Sequence, residues 1–173
     1  MKRIMIIGAA LALAMPLLAL GQATDKVKRN QDAIRQHHER LNRGDVNAVV
    51  LDYAEDTKNH GRPVGRAGLR LVLEDIYNTF PDWRMEIAEM VAEGDSVVVR
   101  CTVSGTHRGV GRRPVNGGML VGIEPTQKRF EVQHIHWYTL REGKIAEHWA
   151  TRDDIGMTRQ LGLLPQVAPV NAK

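Results

Sequence analysis

The spacing of apolar residues changes at Pro81 and divides the chain into a helical half and a β half. Before Pro81, apolar residues recur every three or four positions, which is the period of an amphipathic helix. After Pro81 they alternate with polar residues, which is the period of a strand with one buried face. Helices followed by an antiparallel meander predict an α+β fold, in which the helices cover one face of a curved sheet.

Three helices are predicted before Pro81, over residues 24–43, 46–53 and 67–80. Gly44 ends the first helix and Asp45 caps the second, because glycine and aspartate favour those two positions. His37 and His38 lie in the charged first helix, and we expect both at the surface. The segment between the second and third helices, residues 56–65, is expected to form a loop.

Four strands are predicted after Pro81. They cover residues 83–91, 96–107 and 130–140, and the segment that starts at Lys144. The glycine-rich residues 108–126 are expected to be mostly loop, and a short helix is predicted near residues 157–161. Cys101 alternates with valines in the second strand, so we expect a buried thiol rather than a nucleophile. A single cysteine also cannot form an internal disulfide.

The third predicted strand places two histidines on its apolar face. Alternate residues of a strand share one face. The residues on this face are Phe130, Val132, His134, His136, Tyr138 and Leu140. Buried imidazoles need hydrogen-bond partners or a function, so this face is the first candidate for a site.

The turn after this strand has two possible forms. A two-residue loop would place Glu142 at positive φ, which is unfavourable for a long side chain. A three-residue loop, residues 141–143, needs positive φ only at Gly143, and we prefer it.

The turn decides which residues lie opposite the two histidines. The three-residue loop pairs His136 with His148 and His134 with Ala150, so three histidines converge on one concave, mostly apolar surface. With the two-residue loop, Trp149 and Glu147 replace His148 and Ala150 on that face. In the preferred register, Trp149 shares the outer face with Trp137.

The first 23 residues have the composition of a secretory signal peptide. Lys2 and Arg3 precede an apolar stretch, residues 4–20, and small residues follow at 21–23. We expect cleavage and a periplasmic or secreted protein, with an uncleaved anchor as the alternative. Cleavage removes two positive charges from a formal net charge of +4. Residues 24–165 are expected to form one domain, and residues 166–173 a flexible tail.

Short motifs along residues 34–165 carry a resemblance to a known family. In chain order they are Tyr53-x-x-Asp56 with Asn59-His60, Phe80-Pro81-Asp82, Ala92-Glu93-Gly94-Asp95, Gly105-Thr106-His107, Pro125-Thr126, the stretch from Gly143 to Asp153, and Gln160-Leu161-Gly162. Their order resembles the SnoaL-like polyketide cyclases and predicted ester cyclases of the nuclear-transport-factor-2-like superfamily. The resemblance implies a cone-shaped, curved antiparallel sheet that wraps around the N-terminal helices and encloses a pocket.

The resemblance also implies a reaction. The characterised cyclases catalyse an intramolecular aldol condensation without a metal or organic cofactor. A base removes a proton from a carbon between carbonyl groups, the enolate attacks another carbonyl, and an acid protonates the new alkoxide.

The family's motif positions can be carried over to this chain. The motif histidine falls on His136 and the glutamine position holds His134, but the acid/base aspartate position holds Ala150. Asp153 matches a separate acidic position. The predicted catalytic residues are His136, His134, His148 and Asp153, and the predicted substrate-binding residues are Asn59, His60, Tyr138 and Phe130.

Ala150 cannot transfer a proton, so two functions remain open. The first is an exported small-molecule enzyme in which histidines act as acid and base on a carbonyl compound in an apolar pocket. The second is a non-catalytic ligand-binding module on the same fold. A hydrolase is less favoured, because neither an Asp-Arg-Asp constellation nor a Gly-x-Ser-x-Gly motif is evident. Three converging histidines are chemically suited to zinc, although the resemblance implies no metal.

Predicted partners follow from the same observations. No cluster of lysine and arginine is interleaved with aromatic residues, so nucleic acid is not expected, nor is membrane contact beyond export. The resemblance implies a homodimer through the sheet, with Trp137 and Trp149 on the contact face. A monomer by light scattering at micromolar concentrations would contradict that prediction.

Overall fold

The computed structural model describes residues 10–113 and 120–164, and of residues 10–23 only the backbone helix. The first nine positions of the predicted signal peptide and the predicted tail lie outside the described residues. In chain order the elements are α1 (Ala10–Asn42), α2 (Val46–Leu51), β1 (Tyr53–Asn59), β2 (Arg62–Pro63), α3 (Gly65–Thr79), β3 (Arg84–Glu93), β4 (Ser96–Thr106), β5 (Arg129–Arg141), β6 (Lys144–Arg152) and α4 (Asp154–Gln160). None of the helices in the described ranges is long and apolar enough to span a membrane.

The six strands form one sheet in the order β2-β1-β6-β5-β4-β3. All neighbouring strands are antiparallel except β1 and β6, which are parallel. The predicted α+β class, with helices against a curved open sheet, is confirmed. The parallel pair makes the sheet mixed rather than purely antiparallel.

The prediction of a loop over residues 56–65 is wrong. This segment contains most of β1 and all of β2, which pair at the edge of the sheet through Lys58 with Pro63 and Asn59 with Arg62. Its residues are almost all polar, because an edge strand buries little side-chain surface. An apolar alternation, which is the usual sequence signal for a strand, is therefore missing here.

The prediction of a three-residue turn after β5 is also wrong. Glu142 and Gly143 form a two-residue loop, with φ of 52° and 73°, and Arg141 pairs with Lys144. Positive φ at both loop residues matches the right-handed twist of the flanking strands, and this advantage outweighs the cost at Glu142.

A β-bulge in β6 changes which of its residues face the histidines of β5. Leu140 pairs with Ile145 but Thr139 pairs with Glu147, which leaves Ala146 as the extra residue. The bulge reverses the facing of all later residues of β6. His148 and Ala150 therefore share the histidine face, as predicted.

The predicted pairs across this hairpin are nevertheless wrong by two positions. His136 pairs with Ala150, Tyr138 pairs with His148, and His134 pairs with Arg152. The two-residue turn accounts for one position of the shift, and the bulge, where two residues of β6 oppose one residue of β5, accounts for the other. Arg152 is thereby brought onto the histidine face.

His37 and His38 are 1% and 2% exposed, so the prediction that both lie at the surface is wrong. They occupy α1 between the buried residues Ile34 and Leu41. Positions 34, 37, 38 and 41 form one stripe of a helix, which faces the sheet. His38 Nε2 lies 3.1 Å from the Tyr138 hydroxyl, so the pair also links α1 to β5.

The outer face of the sheet is apolar where β5 and β6 meet. Trp137 and Trp149 oppose each other there and are 51% and 47% exposed, beside Ile135. Their predicted position on the outer face is confirmed. The homodimer through this face stays a prediction.

Burial of the two α1 histidines makes the fold sensitive to acid. Burial lowers the pKa of His37 despite its hydrogen bond to Asp52, and it lowers the pKa of His38 to about 3. Unfolding restores a pKa near 6.5, so below that pH the unfolded chain binds more protons than the folded chain. The free energy of unfolding therefore falls as the pH falls. The neutral His38 alone lowers it by about 2 kcal/mol at pH 5.

We predict that His38→Phe reduces this acid sensitivity. Urea unfolding gives the free energy of unfolding at pH 7 and at pH 5. The loss between these two values should be about 2 kcal/mol smaller in the variant than in the natural chain. Gln36→Ala, at an exposed position of the same helix, should keep the original difference. An unchanged pH difference in His38→Phe would contradict the assignment of a buried neutral imidazole.

Candidate functional site

A cavity of about 560 Å³ lies between the helices and the concave face of the sheet. Helix α3 supplies an apolar wall that includes Leu69, Leu73 and Ile76. Strands β1, β5 and β6 supply a polar floor of histidines, two tyrosines, an asparagine and an arginine. The volume and the mixture of apolar walls with a few polar groups suit a small organic ligand.

Three side chains of the floor form a hydrogen-bonded chain. His136 Nδ1 lies 2.8 Å from His148 Nε2, and His148 Nδ1 lies 3.0 Å from Asn59 Oδ1. The register of β1 against β6 pairs Asn59 with His148, and this backbone pairing positions the two side chains.

These two hydrogen bonds fix the tautomers of the His136 and His148 rings. An amide oxygen only accepts, so His148 Nδ1 carries the hydrogen and His148 Nε2 accepts. His136 Nδ1 must then donate, and His136 Nε2 is left with a free lone pair. Among the described residues, His136 Nε2 has no hydrogen-bond partner. His136 thus lines the cavity and holds a buried, unpartnered acceptor nitrogen in a fixed orientation.

The floor histidines are uncharged near neutral pH. Burial and the neighbouring histidines hold the pKa of His136 well below its ordinary value. Burial, with smaller effects of the neighbouring histidines and of Arg152, lowers the pKa of His148 to about 3. Burial and the charge of Arg152 lower the pKa of His134 to about 4. The cost of bringing a charge into an apolar pocket explains all three shifts.

His134 and Tyr138 flank His136 on β5. The rings of His134 and His136 stack with centroids 5.5 Å apart, and those of Tyr138 and His148 stack at 5.1 Å. The Tyr138 hydroxyl is occupied by His38. These contacts hold the His136 ring in one orientation.

A second hydrogen-bonded chain enters the cavity from the helical side. Arg40 binds both carboxylate oxygens of Asp52 at 3.0 and 2.7 Å, and Asp52 Oδ2 lies 3.0 Å from His37 Nδ1. Because a carboxylate accepts, His37 Nδ1 donates and His37 Nε2 accepts from the Tyr53 hydroxyl at 3.3 Å. His37 and Tyr53 both line the cavity.

The hydrogen-bonded series from Arg40 to Tyr53 was not predicted from the sequence. The helical stripe that contains His37 was the available signal, because it predicts burial at that position. The contact with Asp52 and Tyr53 depends on how α1 packs against the start of β1, which no local pattern reveals.

The predicted site residues divide into two groups. The cavity brings together His134, His136, His148, Asn59, His60, Tyr138 and Ala150. Asp153 instead lies at an exposed position directly after β6. It caps α4 by accepting a hydrogen bond from the Gly156 amide at 2.7 Å. Phe130 packs in the core, with its ring centroid 5.1 Å from that of Phe80. Neither residue lines the cavity.

The histidines are not arranged as a metal site. Within residues 10–113 and 120–164, no group of three or more His, Cys, Asp or Glu side chains could hold a metal ion. His136 and His148 direct ring nitrogens at each other rather than at a common point.

Comparison with known proteins agrees with this fold and cavity. Residues 31–161 match the family model described as SnoaL-like polyketide cyclase. Nogalonic acid methyl ester cyclase from Streptomyces nogalater is 31% identical over 107 residues, which cover 61% of this chain and 73% of that protein.

Solved structures show the same architecture. AclR from Streptomyces galilaeus, a hydroxylase candidate, has a TM-score of 0.69 and 25% identity over 83% of this chain and 91% of its own. TsrD from Streptomyces laurentii has a TM-score of 0.67 and 27% identity over 79% and 97%. A SnoaL-like polyketide cyclase from Agrobacterium tumefaciens, with a TM-score of 0.64 and 21% identity over 77% and 98%, shows the fold alone.

The family model spans most of the chain, and the cavity lies where the curved sheet meets the helices. This family supports a cyclase-type enzyme that works without a cofactor. The chain belongs to the SnoaL-like polyketide cyclase family.

Proposed function

We propose that this protein is an exported enzyme that catalyses acid/base chemistry on a carbonyl compound, as an aldol-type cyclisation or a related isomerase or lyase reaction. The observation that carries the proposal is the unpartnered lone pair of the buried His136 Nε2, in a residue that lines an apolar cavity. A neutral imidazole with a fixed tautomer is suited to remove a proton from carbon.

His136 acts as the base in this scheme. Its Nε2 takes a proton from a carbon between two carbonyl groups, and the electrons of the C–H bond pass into the enolate. The His136 Nδ1 hydrogen stays bonded to His148 Nε2, which Asn59 orients from behind. The enolate carbon then attacks a second carbonyl group, and a new C–C bond and an alkoxide form.

Tyr53 is the second proton carrier in this scheme. Burial raises the pKa of its phenol, so the group stays protonated. When the alkoxide forms, the hydroxyl turns its hydrogen from His37 Nε2 to the alkoxide and donates it there. His37 and Asp52 hold the ring in place from behind. After product release, His136 loses a proton to solvent and Tyr53 regains one, so the enzyme returns to its starting state.

The alternative is a ligand-binding module without catalysis. Ala150 at the family's aspartate position favours it, since the usual acid/base group is missing. The low pKa of the floor histidines also makes each of them a weak base. Proton exchange from a bound dicarbonyl probe separates the two functions, because binding alone does not accelerate it.

We expect His136→Gln to abolish most of this proton exchange. The probe is ethyl benzoylacetate in D₂O, and proton NMR follows loss of the hydrogen between its carbonyl groups. The natural chain should accelerate exchange, and His136→Gln should reduce the acceleration about 100-fold or more. Ile135→Ala, an exposed neighbour on the outer face, is the matched control.

Two results would contradict the proposal that the protein is an enzyme. One is equal acceleration by His136→Gln and the natural chain. The other is binding of the probe to the natural chain without acceleration, which favours the binding module. Incubation with nogalonic acid methyl ester, followed by chromatography of the isomeric products, extends the test to the substrate named for the related cyclase.

The pH dependence of exchange should report a histidine that is neutral well below pH 6.5. Because the pKa of His136 is held far below its ordinary value, enzymatic exchange should stay constant between pH 8 and pH 6. A base with an ordinary pKa would lose half of its activity near pH 6.5. Asn59→Asp should move the acid limb towards neutral pH, because a carboxylate beside His148 stabilises its protonated form.

Export is proposed from the N-terminal residues. Lys26, near the start of the predicted mature chain, forms an ion pair with Asp95 at 2.7 Å, and removal of residues 1–23 would leave this contact in place. Expression in a bacterium with two membranes should yield a periplasmic protein that starts at Thr24, as measured by intact mass. A full-length protein retained in the membrane fraction would indicate the uncleaved anchor.

A further inference from the structure

We propose that the cavity binds an apolar molecule that carries a single carboxylate, and that Arg152 is the residue that pairs with that carboxylate. This inference rests on the proposed function, because it names the substrate class of the same site. It depends on the charges around the cavity rather than on the histidines.

The charged side chains that line the cavity are all cationic. They are Arg62, Arg113 and Arg152. None of the described residues that line the cavity is an aspartate or glutamate. The parts of the chain outside the described ranges contain neither residue type, so they cannot add such a side chain. Since the floor histidines are neutral, the cavity has a net positive charge.

Arg152 has the most enclosed position of the three. It lies directly opposite His134 on the concave face, and its side chain is only 26% exposed. Its ion pair is with Asp154, where Nε lies 3.5 Å from Oδ1. A guanidinium has five N–H donors, so this one long contact leaves most of them available. A partly buried arginine in this state is suited to bind a carboxylate in a two-point geometry.

The effect of the Arg152 charge reaches the whole floor of the cavity. Burial is the main cause of the lowered pKa values of the four histidines there, and the Arg152 charge adds to it at each one. These histidines are His60, His134, His136 and His148. A bound anion near Arg152 would offset the positive charge of Arg152, which disfavours protonation of His136, and would thereby raise the pKa of His136.

Arg62 and Arg113 extend the positive charge to the exposed part of the cavity. Neither guanidinium forms an ion pair with the residues that the structure describes. The Arg113 backbone is anchored, because its amide donates to the buried Asp75 carboxylate at 3.0 Å. These cations can attract an anion towards the cavity before it reaches Arg152.

The remaining surface defines the rest of the ligand. Leucine, valine and isoleucine side chains of α3, with Trp83 and Met85, form the other walls. These walls favour a flat hydrocarbon or aromatic body. Among the described lining residues, Arg152 is the one enclosed cation, so it would compensate only one of the two charges of a phosphate ester beside these walls. A monoanion therefore suits the enclosed part of the cavity better.

Three matched probes test the proposal by binding alone. They are 2-naphthoic acid, methyl 2-naphthoate and 2-naphthyl phosphate, measured by fluorescence at pH 7.5 and low salt. The natural chain should bind the acid at least tenfold more tightly than the neutral ester. Arg152→Gln should remove this preference and leave ester binding unchanged, and Arg152→Lys should retain part of it. Arg159→Gln, at an exposed position of α4, should bind all probes as the natural chain does.

Each other outcome overturns the proposal. Equal or tighter binding of the ester, or no binding of any probe, excludes an apolar carboxylate as the ligand. Tighter binding of the phosphate assigns the cavity to a dianion instead. Persistence of the acid preference in a folded Arg152→Gln excludes the role of Arg152. His136→Gln should keep the preference, so failure of the catalytic proposal is distinguishable from failure of this one.

Discussion

The β-bulge at Ala146 is the local constraint on which the site depends. It lies three residues after a two-residue turn, and it restores to the concave face the residues that the turn alone would direct outward. The Ala146 carbonyl accepts a hydrogen bond from Thr57 Oγ1 at 3.3 Å, so the parallel neighbour β1 supports the bulge. The same strand supplies Asn59 to His148. Without this bulge, Trp149 and Glu147 would face the cavity, and the hydrogen-bonded histidine pair would not form.

Desolvation sets the chemistry of the residues that the bulge assembles. Each buried imidazole is cheaper to keep neutral than charged, and a neutral ring donates through one nitrogen and accepts through the other. Asn59 and Asp52 therefore decide the tautomers of His148 and His37 by accepting at Nδ1. His136 Nε2 is then left as an unpartnered acceptor, whereas His37 Nε2 accepts from the Tyr53 hydroxyl. Oriented acceptors arise here from hydrogen-bond geometry without a charged partner on the floor.

The sequence predicted the features that depend on periodicity. The helices, the four long strands and the histidine face of β5 all follow from apolar spacing, and they are present in the structure. The polar strands β1 and β2 were missed because the edge of a sheet buries little surface. The turn after β5 was mispredicted because twist matching outweighed the positive φ at Glu142. His37 was assigned to the surface because its charged neighbours hid a buried stripe, and its link to Asp52 is purely tertiary.

Ala150, where the family resemblance predicts an aspartate, and Arg152, which makes only one long ion pair, are physically one feature. Ala150 lies opposite His136, and Arg152 lies two residues further along the same face of β6. A carboxylate at position 150 would be close enough to both to raise the pKa of His136 and to neutralise Arg152. Its replacement by a methyl group keeps the imidazole neutral and leaves the guanidinium available. The negative charge that this cavity lacks must then come from the ligand, either as a carboxylate or as the enolate that forms during reaction.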